Sequence, residues 1–121
     1  VKLMLKKGIQ VLGSKILVLG FTFKENCPDV RNTKVIDIIR TLQQYNAHVT
    51  IHDPWADPDV AHREYGVEII TQLPQEKFDA VILAVAHDEF RNLNMNQITN
   101  GVRVVYDVKG ILPENIIDGK L

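Results

Sequence analysis

The residues best equipped for chemistry crowd into one stretch, residues 21–32, which reads FTFKENCPDVRN. Lys24 and Arg31 stand there among aromatic and polar neighbours, and a segment of helical period begins just beyond them. Two cations beside the free N–H groups of a helix start suit a ligand that carries phosphate. The same cations can instead be solvated loop charges paired with Glu25 or Asp29, and exposed pairs of that kind are common and weak. Spacing alone leaves both readings open.

The stretch also rules some chemistry out. Gly20 is followed by Phe21, Thr22, Phe23 and Lys24, so the G-x-G-x-x-G that lets backbone approach a dinucleotide pyrophosphate is missing, and NAD is not expected to bind here in the usual way. Cys27 is the sole cysteine and precedes Pro28, with no histidine or acidic partner at a helpful sequence distance, so no nucleophile is expected in this chain. His48, His52, His62 and His87 are too scattered for metal-ligand spacing, and no metal is expected. Asp53 ends an apolar run, where a Rossmann domain often reads ribose hydroxyls, yet the Asp53-Pro54 pair is equally turn chemistry and is read as structural. Trp55, Phe90 and Tyr106 read as packing residues.

Elements that can position such a loop are visible on either side of it. Apolar runs of strand length at 15–20, 48–53, 67–70, 79–85 and 102–107 alternate with helix-period segments. That alternation predicts an α/β, Rossmann-like, three-layer domain around a mostly parallel sheet of about five strands. Val35, Ile36, Ile39 and Leu42 recur at helical spacing and predict an amphipathic crossover helix, with Asn32 or Thr33 as its N-cap. Shorter helices are expected at 59–65 and 95–99. Residues 1–14 are expected to be the end of a preceding helix, stopped by Gly8, followed by a linker, with the domain itself over 15–121 and its last few residues poorly ordered.

Composition bounds the partners. A 45% hydrophobic and 24% charged chain of 121 residues can bury a core and is not disordered. Fourteen basic against fifteen acidic residues give a net charge of −1, so no broad field favours nucleic acid or an anionic membrane. No apolar run approaches the ~20 residues that span a bilayer, and with a single cysteine the expectation is a cytoplasmic protein.

The run LGFTFKENCPDVRNTKVIDII resembles the opening of the C-terminal domain of the UDP-glucose/GDP-mannose dehydrogenase family, with its G-x-x-F-K, then D-x-R and a small polar residue before a helix. The similarity continues through His52, Asp53 and Pro54, through His87 and Phe90, and through Tyr106, Asp107, Val108, Lys109 and Gly110. The wording ENCPDVRNTKV is most similar to members acting on UDP-N-acetylhexosamines for capsular or Vi-type polysaccharide. What the resemblance implies is specific. Phe23, Lys24 and Lys109 would contact the sugar nucleotide, and Arg31 would lie near the NAD, which a missing N-terminal domain would mainly bind. The catalytic cysteine would lie upstream, so Cys27 is not it and the 121-residue chain alone would be inactive. The full-length enzyme would be a homodimer oxidising C6 of a UDP-sugar to a uronic acid. A non-catalytic nucleotide-binding regulatory module, or a purely structural domain, are the competing classes.

Overall fold

The structure, a computed structural model, describes residues 1–120; Leu121 lies outside the described residues. Six strands, β1 (Lys15–Leu19), β2 (His48–His52), β3 (Ile69–Ile70), β4 (Phe78–Leu83), β5 (Thr99–Asp107) and β6 (Gly119–Lys120), form one sheet in the order β3-β2-β1-β4-β5-β6. Every pairing is parallel, so the sheet is fully rather than mostly parallel, and it has one strand more than the five expected. The helices are α1 (Lys2–Lys6), α2 (Val35–Gln44), α3 (Pro58–Tyr65) and α4 (Met95–Ile98).

β1 is central because its residues are apolar on both faces: Ile16, Leu17, Val18 and Leu19 are all buried. Ile16 and Val18 join Val35, Ile39 and Leu42 of α2 and Ala61 of α3 in one layer. Leu17 and Leu19 join Val81, Leu83, Phe90, Val105 and the α4 residues Met95 and Ile98 in the other. The period of two along the strand thus sorts side chains between two helical layers.

Helix ends follow their local chemistry. Asp57 caps α3 by accepting the Asp59 N–H at 2.9 Å, Pro58 occupies the first turn, and Gly66 closes the helix at φ +70°. At α2 the cap lies later than Asn32 or Thr33: Lys34 is the boundary residue, and the Thr33 hydroxyl accepts the Val35 N–H at 3.2 Å. Asn32 takes φ +62° in the loop instead, a conformation asparagine tolerates better than most residues.

The termini pack onto this frame. Met4 of α1 is buried, and Lys7 Nζ donates to the Arg103 carbonyl at 2.6 Å and to Asp118 Oδ1 at 2.5 Å. Asp118 in turn accepts the Val105 N–H at 2.7 Å and donates its own N–H to the Val105 carbonyl at 2.7 Å, which brings residues 119–120 alongside β5. Gly119–Lys120 is thus an edge strand; the expectation of poor order at the last few residues also covers Leu121, which lies outside the described residues.

Strand order reverses between β1 and β4, whose last residues Leu19 and Leu83 are in register. A crevice opens there beyond the carboxyl ends of the strands. The chain leaves β1 through Gly20 at φ +96°, where an added Cβ would lie 2.6 Å from the Val85 Cβ, so the two loops touch where they emerge.

Candidate functional site

Asp53, the residue after β2, organises the crevice. Its carboxylate is completely buried and receives five hydrogen bonds. Oδ2 accepts the N–H groups of Phe21 (2.7 Å) and Thr22 (3.1 Å) and lies 3.0 Å from His87 Nε2; Oδ1 accepts the N–H groups of Trp55 (2.7 Å) and Ala56 (3.0 Å). Burial alone would push this carboxyl up. The His87 and Phe21 hydrogen bonds outweigh burial and hold it below the ordinary 3.8.

His87, on the loop after β4, is also fully buried. Besides Asp53, its Nε2 lies 3.1 Å from Thr22 Oγ1, while Nδ1 accepts the Asn26 N–H at 2.9 Å. Trp55 stacks on the imidazole with ring centroids 6.0 Å apart, and the Trp55 indole N–H donates to Glu89 at 3.0 Å. Phe90 closes the imidazole's surroundings at 5.4 Å. Loops after β1, β2 and β4 are thereby locked into one body.

The residues expected to touch ligand stand on the surface of that body. Phe23 is 55% exposed, an aromatic ring left in water at the tip of the first loop, and Lys24 beside it is exposed. Arg31 is gripped by its neighbour: Nε and Nη2 donate to the two Asp29 carboxylate oxygens at 3.0 and 3.2 Å, which holds the Asp29 carboxyl below its ordinary value. The Arg31 side chain stays 80% exposed in this pair. Of the two readings of the loop charges, the ion pair with Asp29 thus describes Arg31, whereas Lys24 is in none of the salt bridges among the described residues.

Lys109 is exposed on the loop after β5. Asp107 shapes that loop as Asp53 shapes the first: buried, it accepts the N–H groups of Lys109 (3.0 Å), Gly110 (2.8 Å) and Leu112 (2.8 Å). Phe23, Lys24, Arg31 and Lys109 all follow carboxyl ends of strands, on loops that flank the β4 loop.

This first turn does not fit the pyrophosphate of a dinucleotide. The Phe21 and Thr22 N–H groups that would face phosphate are taken by Asp53, and the Phe21 side chain is buried where a glycine would leave space. Among the described residues no group of three or more His, Cys, Asp or Glu is placed to hold a metal ion, and no helix is long and apolar enough to cross a membrane. Cys27 is half-buried on the first loop. Sequence reasoning took Asp53 as turn chemistry and gave His87 no role, so it missed the contact between them.

An open parallel sheet in this strand order, with charged loops at its switch point and a first turn closed to pyrophosphate, is a Rossmann-type domain that departs from the dinucleotide fingerprint. The chain belongs to the UDP-glucose/GDP-mannose dehydrogenase family, whose UDP binding domain matches residues 17–114. It is 44% identical, over its whole length, to a UDP-N-acetyl-D-glucosamine 6-dehydrogenase of Salmonella typhi, and 45% identical to one of Pseudomonas aeruginosa. The chain spans 29% of the length of each. Among solved structures, a UDP-glucose dehydrogenase from Pyrobaculum islandicum matches with a TM-score of 0.75 at 26% identity, over 98% of this chain and 27% of that one. The NDP-N-acetyl-D-galactosaminuronic acid dehydrogenase of Methanosarcina mazei Go1 shares the fold, with a TM-score of 0.85 at 21% identity, over 98% of this chain and 26% of that one.

Proposed function

We propose that this chain is the nucleotide-sugar-binding domain of a cytoplasmic, homodimeric, NAD-dependent dehydrogenase that oxidises C6 of a UDP-N-acetylhexosamine to the uronic acid for cell-surface polysaccharide. The observation that carries the reading is the identity of 44% and 45%, across the whole chain, to two UDP-N-acetyl-D-glucosamine 6-dehydrogenases. The exposed loops beyond β1 and β5 are consistent with it.

In this reading the chain binds and orients, and another part of the enzyme oxidises. Lys24 and Lys109 meet the diphosphate as compact point charges, and the Phe23 ring lies against the sugar nucleotide. Arg31, steadied by Asp29, faces the NAD carried by the other domain. NAD, when bound there, supplies the acceptor for each of two hydrides leaving C6. A first turn closed to pyrophosphate agrees with that division of labour.

The test is turnover of the longer enzyme that carries this domain, offered UDP-glucose, UDP-N-acetylglucosamine, UDP-N-acetylgalactosamine and GDP-mannose with NAD, followed by the absorbance of reduced nicotinamide. A UDP-N-acetylhexosamine is the expected best substrate. Calorimetric binding of UDP without reduction of NAD by any of the four would favour a regulatory module and refute the dehydrogenase reading.

A further inference from the structure

The hydrogen-bond partners of His87 select one tautomer of its ring. The Asn26 backbone N–H, 2.9 Å from Nδ1, can only donate, so Nδ1 carries no proton. Nε2 must then carry the hydrogen of the neutral ring, and both groups it faces can accept it. Asp53 Oδ2 is a carboxylate oxygen, and Thr22 Oγ1 has its own hydrogen directed to the Lys24 carbonyl at 2.9 Å. A proton on Nδ1 would set two N–H groups head to head.

This single tautomer ties down both ends of one short segment. Thr22 is fixed through its hydroxyl and, through Asp53, by its N–H. Asn26 is fixed through its N–H to His87, while its side-chain oxygen accepts the Asp88 N–H at 3.0 Å. Asn26 takes φ +54° to make that two-way bridge, a backbone state asparagine adopts more readily than most residues. Between the two anchors stand Phe23 and Lys24, both exposed. Two surface side chains that would otherwise ride on a free loop are thus referred to the rigid end of β4.

We infer that His87 is a positioning residue for nucleotide-sugar binding: its Nε2–H tautomer, bridging Asp53, Thr22 and Asn26, holds the 22–26 segment so that Phe23 and Lys24 meet the ligand in a fixed geometry. The inference rests on the binding role proposed above for those two residues. It adds a determinant that itself touches no ligand.

Two measurements test it. In the 121-residue chain, nitrogen-15 spectra of the imidazole should show Nδ1 unprotonated and Nε2 protonated; a proton on Nδ1 overturns the inference whatever the enzyme does. In the longer enzyme, His87→Phe keeps an aromatic ring beneath Trp55 but removes both hydrogen-bonding nitrogens. It should raise KM for the UDP-sugar about tenfold, with kcat and the KM for NAD little changed. His87→Asn, whose side-chain oxygen can occupy the Nδ1 position and accept the Asn26 N–H but whose amide does not reach Asp53 or Thr22, should recover part of that loss. A merely structural histidine would lower the urea midpoint in both variants without this split between KM and kcat. Should His87→Phe not fold, Thr22→Val carries the same test, with an expected rise of about threefold in the UDP-sugar KM. An active parent whose KM ignores these substitutions refutes the role of His87, whereas a parent inactive on every UDP-sugar refutes the dehydrogenase reading.

Discussion

Replacing Asp53 by asparagine changes almost no volume and should nonetheless remove a large share of the domain's stability. Oδ2 serves three neighbours and Oδ1 serves two backbone N–H groups, whereas an amide has one accepting oxygen and one donating nitrogen. The better orientation keeps the oxygen on the Phe21, Thr22 and His87 side and sets the NH₂ against Trp55 and Ala56. Two inward N–H groups are then stranded at about 1–3 kcal/mol each, roughly 2–6 kcal/mol together. Domains of this size are stable by only about 5–15 kcal/mol, so the melting temperature should fall on the order of 10–20 °C. Urea unfolding read by the fluorescence of Trp55, the sole tryptophan and one stacked on His87, measures this directly. The pH dependence supplies the sign. The folded carboxyl lies below the ordinary 3.8, so its contribution is complete above 3.8 and is lost as pH falls through the lower folded value. The gap between parent and Asp53→Asn should therefore narrow in acid. A variant within about 0.5 kcal/mol of the parent at neutral pH would refute the account of Asp53 as the crevice's organising acceptor.

Gly20→Ala sets a Cβ 2.6 Å from that of Val85 at φ +96°, and should cost roughly 2–5 kcal/mol in the same urea assay. In the dehydrogenase proposed above, Lys24→Ala should weaken the sugar nucleotide by about 1.5–3 kcal/mol and leave NAD affinity nearly unchanged; titration of both ligands checks it. Arg31→Ala should show the opposite preference, with little change in melting temperature because its exposed pair with Asp29 contributes little. Cys27→Ser is expected to leave turnover close to the parent's, and loss of most activity in a folded variant would show that the first loop supplies a nucleophile. The isolated chain should fold yet reduce no NAD with any UDP-sugar; sustained turnover that survived repurification would contradict a purely binding role.

Much of the frame was legible because its signals are local. β1 is a continuous apolar run of strand length, rich in β-branched residues and ended by Gly20, which favours a strand buried on both faces, and α2 shows Val35, Ile39 and Leu42 at the helical period. β5 was harder. Its apolar run begins at Val102, whereas pairing with β4 starts at Thr99 and shifts register before Val104, so Asn100-Gly101 lies inside an irregular strand although it carries turn chemistry. β6 has no apolar pattern at all. Gly119 lies where an added Cβ would meet Leu3 and Tyr106 at 2.9 Å, and the preceding Asp118 is fixed by Lys7 and Val105. Those are contacts between distant parts of the chain, which no window of neighbouring residues contains.

The same distinction divides the site. Lys24 and Arg31 are noticed because cations on a loop after a strand declare themselves by residue type, whereas Lys109 is singled out only by the family resemblance. Asp53 and His87 do not declare themselves, since an aspartate before proline is expected to serve its own turn, and Asp53 does accept Trp55 and Ala56. Its other oxygen faces a histidine 34 residues further along the chain, and that relation exists only once the sheet is assembled. Yet a rule for finding it is implicit in the strand order. β1 pairs with β2 at Leu19 and His52 and with β4 at Leu19 and Leu83, so residues just past those three positions emerge side by side. A titratable group immediately after one such strand, and a histidine a few residues after another, are close neighbours by topology. Once the strand order is assigned, pairing the polar residues that leave adjacent strands would have brought Asp53 to His87, and with it the anchor beneath Phe23 and Lys24.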